Sequence, residues 1–233
     1  MRPVGMRRIG LSALLALGVG VSGAARADAP PMPLAQGPLS HTDLAAAQRG
    51  FLVYQGVCAS CHTMNALHYR DLERLGLTPA EAGGIAAAAT PPATLDSRLK
   101  GAGKVDFGGA VPPDLSTIAA QRKGGARYIY DFLTGYVPAP DGVTLRPGHY
   151  YNTAFPGGQV AMPPALHDNA VKYADGTPAT TRQEAADVAT FLAWSADPNL
   201  TARHEIGLRA VLFFIFLSFV ALGAKRRIWR ERT

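Results

Sequence analysis

The chain has 233 residues, a formal net charge of +6, 48% hydrophobic residues and only two cysteines. The length suits one domain with an appendage. The charge is unevenly spread: residues 28–208 carry 13 Lys and Arg against 16 Asp and Glu, a net of −3. The basic residues sit at the two ends, which argues against a nucleic-acid-binding protein and leaves a mildly acidic domain suited to a basic partner.

Arg7-Arg8, an apolar run over 11–21 and Ala25-Arg26-Ala27 form the basic, apolar and A-x-A regions of a secretory signal peptide. Cleavage is expected before Asp28, because the run is too short to span a membrane. A Pro-rich lead follows (Pro30, Pro31, Pro33, Pro38). With Ser40 or Thr42 as its cap, a helix is predicted over 43–57, where Leu44, Ala47, Phe51 and Tyr54 recur at spacings of three and four.

Residues 76–113 are rich in Gly, Ala and Pro and read as loop, with a short helix near 79–88. Short helices are predicted over 114–121 and over 125–136, the latter with Tyr128, Phe132 and Leu133 on one side. Residues 137–180 show no period and read as a long loop, of the kind that carries function. Thr181-Arg182-Gln183-Glu184 fits a capping box ahead of a helical face made by Val188, Phe191, Leu192 and Ser195. Pro198 suits the first position of a further helix.

That last helix contains residues 206–224, whose only charge is Arg209. At about 1.5 Å per residue it reaches roughly 28 Å, the thickness of a bilayer's hydrocarbon core. Arg209 lies near one end, where its stem can snorkel. Lys225, Arg226, Arg227, Arg230 and Arg232 follow and are expected to stay in the cytoplasm. The expected organisation is a signal peptide over 1–27, a periplasmic domain over 28–197, an anchor helix over 198–224 and a basic tail over 225–233. The fold class is all-α with long loops and one transmembrane helix.

Both cysteines fall in Cys58-Ala59-Ser60-Cys61-His62. A thioredoxin-like disulfide needs a βαβ frame around its C-x-x-C, and no such frame is predicted. A structural zinc site needs four ligands, and the chain has no other cysteine. Covalent haem attachment explains every position: two thiols three apart reach two vinyl groups on one porphyrin edge, and the histidine after them ligates the iron.

A sixth ligand follows by elimination. Met64 is two residues from His62 and cannot reach the opposite haem face, and Met32 lies in the lead. Met162 stands 100 residues downstream of His62, in the long loop and ahead of Pro163-Pro164, which stiffen the backbone that presents its sulfur. His68 is the runner-up. The remaining histidines (His41, His149, His167, His204) read as surface or hydrogen-bonded residues.

The ordered set RGFLVYQGVCASCHTMNALHYRDL, GGAVPPDLS, RKGGARYIYDFLTGY, FPGGQVAMPPAL and DGTPATTRQEAADVATFLAW, ending in an apolar anchor, closely resembles the cytochrome c1 family over roughly residues 40–230. The resemblance implies a class I cytochrome c-like haem domain with one haem c ligated by His62 and Met162. It implies that Arg122 pairs with a haem propionate, and that Tyr128, Pro113, Tyr54 and Phe155 line the pocket, with Pro112 beside Pro113 on the proximal side.

The chain departs from the family in the short, weakly acidic segment 85–107. It also has Phe107-Gly108 where relatives commonly carry Asn before Gly-Ala.

The function so implied is a one-electron relay within a quinol–cytochrome c oxidoreductase, a dimeric complex of the bacterial inner membrane. The chain would contact cytochrome b and the lipid bilayer, receive electrons from a Rieske iron-sulfur protein and pass them to a periplasmic c-type cytochrome, with no bond-breaking residue of its own. Alternatives are a free membrane-tethered cytochrome c feeding a terminal oxidase, a haem enzyme or sensor with a displaceable sixth ligand, and a thiol oxidoreductase.

Overall fold

The structure, a computed structural model, describes residues 42–99, 101 and 109–230. The signal peptide, the Pro-rich lead, a cap at Ser40, the pair Phe107-Gly108 and the end of the basic tail lie outside the described residues. The chain is mainly helical, as expected.

Helix α1 (Leu44–Gly56) is capped by Asp43 and not by Thr42. The Asp43 carboxylate accepts from the Ala46 N–H at 3.0 Å, reaching a donor that the helix leaves unpaired. After α1 come a single 3₁₀ turn over Cys58–Ser60, strand β1 (Met64–His68) and a second 3₁₀ segment over Tyr69–Leu75. Helix α2 (Pro79–Ala87) carries proline in its first turn, behind a reciprocal capping box between Thr78 and Glu81.

Strand β2 (Arg98–Leu99) pairs antiparallel with β1. Helices α3 (Ile118–Gln121) and α4 (Gly125–Thr134) follow. A small hairpin then interrupts the long predicted loop: strands β3 (Tyr150–Tyr151) and β4 (Gln159–Val160) pair antiparallel, Tyr150 opposite Val160 and Tyr151 opposite Gln159. Two such minimal ribbons leave the class all-α.

Helix α5 (Thr181–Ala196) is the central element, packing on α1, α3 and α4. It crosses α1 at Gly50, where an added Cβ would lie 2.0 Å from the Asp187 carbonyl oxygen and 2.8 Å from the Phe191 Cβ. No side chain fits between the two backbones at this point. Around the crossing, the Phe51 and Tyr54 rings lie 5.6 and 5.8 Å from that of Phe191, which stacks on Trp194 at 5.7 Å. Burial of such a ring is worth about 1.5–3 kcal/mol, and each favourable ring pair adds about 0.5–1.5 kcal/mol.

Beside the rings, the Arg49 guanidinium grips the buried Asp187 carboxylate with two bonds of 3.0 Å and reaches Asp175 with a third. Loss of either member of the Arg49–Asp187 pair would strand a buried charge. Arg49 is held further above its ordinary pKa, first by the hydrogen bond to Asp187.

The start of α5 corrects the predicted capping box by one residue. Thr180 is the cap, its hydroxyl accepting from the Gln183 N–H at 3.2 Å. Thr181 instead donates both its N–H and its hydroxyl to Asp168, each at 2.7 Å. Glu184 turns inward, fully buried, and accepts from the Val171 N–H at 3.1 Å. Burial pushes its carboxyl up from the ordinary value.

Pro198 lies in the turn between helices, so α6 begins later than expected, at Leu200, and runs unbroken to Arg230. The turn is closed by the Leu200 N–H bonding the Asp197 carbonyl and by an ion pair between Arg203 and Asp197. Among the described residues α6 is the one helix long and apolar enough to cross a membrane, and none of its apolar stretch is buried. Arg209 pairs with Glu205 one turn back, and Ser218 donates to the Phe214 carbonyl, which satisfies the hydroxyl within the helix.

Gly50→Ala should therefore lower stability by about 1–3 kcal/mol through overpacking. Gly83→Ala, in α2 with nothing within 4 Å of an added Cβ, should be neutral or stabilising by about 0.5–1 kcal/mol. Denaturant titration of both variants checks the contrast.

Candidate functional site

The two cysteines and the histidine form one compact turn at the C-terminal end of α1. The carbonyl of Cys58 accepts from the N–H of Cys61 at 3.1 Å and from that of His62 at 2.9 Å. Both cysteines are free and half-buried. Burial, followed by repulsion from Cys61, pushes the Cys58 thiol up to about 12.

His62 is buried, 8% exposed, and its Nδ1 lies 2.8 Å from the carbonyl oxygen of Pro113. A carbonyl only accepts, so Nδ1 must be the protonated nitrogen. The lone pair of the neutral ring is then on Nε2. A main-chain carbonyl on the far nitrogen is the arrangement that fixes the tautomer and orientation of a metal-ligating histidine. Pro113, expected near a porphyrin ring, acts here through its carbonyl.

That carbonyl is itself held by a tight set of bonds. Asp114, next in sequence, accepts from the Thr63 hydroxyl at 2.7 Å, the Asn65 N–H at 2.8 Å and the Ser116 N–H at 2.9 Å. The Leu115 N–H returns a bond to the Thr63 carbonyl at 2.8 Å. Residues 62–66 are thereby zipped to 113–116. Burial pushes the Asp114 carboxyl up, but the bonds from Ser116, Thr63 and Asn65 outweigh it and hold it below the ordinary range.

On the other side Gly101 lies against the His62 main chain, where an added Cβ would fall 1.9 Å from the His62 carbonyl oxygen. Tyr54, buried in α1, directs its hydroxyl to that same carbonyl at a long 3.5 Å.

A second group of expected residues gathers on α4 and the hairpin. Tyr128 stacks on Phe132 at 6.1 Å, and Phe132 meets Phe155 at 6.1 Å and, steeply inclined, Tyr136 at 5.7 Å. Met162 is half-buried two residues past β4, and its carbonyl accepts from the Tyr136 hydroxyl at 3.0 Å. Fully buried Asn152 locks the hairpin to α4: its side-chain amide donates to the Phe132 carbonyl at 2.7 Å, its side-chain oxygen accepts from the Ala154 N–H, and its main-chain N–H donates to the Gly158 carbonyl.

The two groups are joined through α5, which contacts both α1 and α4. Arg122 stands apart, exposed at the end of α3, and its guanidinium makes no ion pair among the described residues. His68 is engaged elsewhere, its main-chain N–H donating to Asp71 at 2.8 Å and its ring Nδ1 lying 3.6 Å from the same carboxylate. Among the described residues no three His, Cys, Asp or Glu side chains converge to hold a metal ion.

Sequence reasoning missed Tyr136, Asn152 and Gly101. Tyr136 had a signal, since Tyr128, Phe132 and Tyr136 recur every four residues.

The donor set suits a covalently bound haem. Two free thiols on a closed turn are followed by a histidine with an available Nε2, and a methionine is carried on a separately anchored segment.

The Cytochrome C1 family model matches residues 34–101 and 98–232 of the chain. The chain belongs to the cytochrome c1 family.

Similar proteins include "Cytochrome c1 1, heme protein, mitochondrial" of Arabidopsis thaliana, 38% identical over 252 aligned positions covering 94% of this chain and 82% of that one. "Cytochrome c1, heme protein, mitochondrial" of Saccharomyces cerevisiae is 38% identical over 213, covering 83% and 69%. The "Cytochrome b-c1 complex catalytic subunit, mitochondrial" of Candida albicans is 39% identical over 207, covering 80% and 72%. For a member of this family, the all-α domain with one long apolar C-terminal helix is the expected fold.

Because Asp114 is held below its ordinary value of 3.8, its contribution is present above that value and is lost as pH falls through the lower folded-state value. Asp114→Asn should cost about 1–2 kcal/mol at pH 7. The difference from the unsubstituted protein should shrink only below pH 3.8. Denaturant titrations across that range read it directly.

Proposed function

We propose that this chain is the haem-carrying, electron-transfer subunit of a quinol–cytochrome c oxidoreductase of the bc1 type. The reading is carried by His62, whose Nδ1 proton is committed to the Pro113 carbonyl beside two free thiols on the same turn. The relatives' names support it: two are called heme proteins and one a subunit of the cytochrome b-c1 complex.

Cys58 and Cys61 would hold haem c through their thiols, and His62 would ligate its iron through Nε2. Met162 would supply the other iron ligand, from the segment just past the hairpin that Asn152 anchors. When bound, haem supplies reversible one-electron exchange at its iron. The protein's part is to hold both ligands through the change of charge and to keep water away with Tyr54, Tyr128, Phe155 and Pro113. Arg122 is suited to pair with a propionate, since its guanidinium is exposed and uncommitted among the described residues. No residue acts as acid, base or nucleophile on a substrate.

The apolar stretch of α6 anchors the chain in the bacterial inner membrane and gives cytochrome b a packing face. Lys225 to Arg230 then lie in the cytoplasm and the haem domain in the periplasm. Electrons enter from a Rieske iron-sulfur protein and leave to a periplasmic c-type cytochrome, within a dimeric complex.

Purification from native membranes in mild detergent tests the assembly. Cytochrome b and an iron-sulfur protein should accompany the chain. Recovery of the intact haem protein without cytochrome b would instead favour a free tethered carrier.

A further inference from the structure

Tyr136 lies two residues beyond α4, and its hydroxyl bonds to a carbonyl 26 residues away, that of Met162 at 3.0 Å. The bond is therefore a tertiary tie and not part of a turn. The tyrosine is held at further points as well. Its ring lies 5.7 Å from that of Phe132, at a steep angle. Its main chain forms an antiparallel bridge with Asn152, and the Val137 N–H donates to the Tyr151 carbonyl at 3.4 Å.

Met162 is followed by Pro163 and Pro164, which have no N–H to offer. At those two positions the main chain can only accept, and the carbonyl just before them, that of Met162, is the one that Tyr136 holds. Fixing that carbonyl fixes the ψ angle of Met162, while the proline ring restricts the φ angle of the next residue. The main-chain position from which the thioether side chain leaves is thereby constrained.

We propose that Tyr136 is a positioning residue for Met162: its phenol holds the peptide that carries the thioether and thereby sets how firmly the sulfur stays on the metal. The inference rests on the reading of Met162 as the sixth ligand. One hydrogen bond contributes about 1 kcal/mol, which corresponds to about a fivefold change in an equilibrium constant.

The test uses the full-length, haem-loaded protein in its oxidised state, titrated with imidazole, which competes with the thioether for iron. Tyr136→Phe removes only the hydroxyl and keeps the ring against Phe132. It should bind imidazole about fivefold more tightly than the unsubstituted protein, and its reduced form should take up carbon monoxide faster. Thr134→Val removes a hydroxyl at the same helix end, one that bonds back to the Tyr130 carbonyl at 2.8 Å and to no other group among the described residues. It should leave imidazole affinity unchanged. Thermal melting by circular dichroism verifies that each variant is folded.

Imidazole affinity of Tyr136→Phe within twofold of the unsubstituted protein overturns the proposal, as does an equal shift in Thr134→Val, which would mean general loosening of the helix end. Met162→Leu separates the layers of the argument. It should bind imidazole without competition, more tightly than either variant. If it does so while Tyr136→Phe does not change, Tyr136 alone loses its role. If Met162→Leu does not change, the ligand reading and the inference fall together.

Discussion

The hydrogen bond from His62 Nδ1 to the Pro113 carbonyl is the constraint on which the site depends. A histidine left free can present either nitrogen and rotate about two torsions. Tied to a main-chain oxygen, it offers only Nε2 and in one direction. The bond matters because the oxygen is itself immobile: Asp114 draws Thr63, Asn65 and Ser116 together, so the donor and the acceptor sit on two strips of chain fastened to each other. Gly101 closes the remaining side at a distance that no other residue allows.

The rest of the fold brings a second strip of chain into a fixed relation with this one. Helix α5 is the common partner. Its crossing with α1 is tight enough to require glycine at position 50, and its contact with α4 carries the aromatic group and the hairpin that precedes Met162. The energy for this is mostly apolar burial around Phe191. The Arg49–Asp187 pair adds registry more than stability, since a buried ion pair gains little over apolar packing but costs much when broken.

Much of this was legible in the sequence. The face made by Leu44, Ala47, Phe51 and Tyr54 and the helices near 79–88 and 125–136 were readable from spacing, and so was the 206–224 stretch. The C-x-x-C-H spacing identified the turn because its chemistry is local. What could not be read depends on main-chain partners, which leave no pattern in side chains. The Pro113 carbonyl is 51 residues from His62, and the Met162 carbonyl is 26 from Tyr136. The cap of α5 was ambiguous for a different reason: Thr180 with Gln183 and Thr181 with Glu184 both have the spacing of a capping box. The choice between them was made by Val171 and Asp168, which occupy Glu184 and Thr181 from outside the helix.

The central claim is that the Cys58–His62 turn holds a covalently attached haem. Mass spectrometry of the native protein, denatured and treated with a thiol-alkylating reagent, tests it most directly. The account predicts a chain heavier by one haem, with neither Cys58 nor Cys61 alkylated. A chain without haem mass and with both thiols alkylated would contradict it.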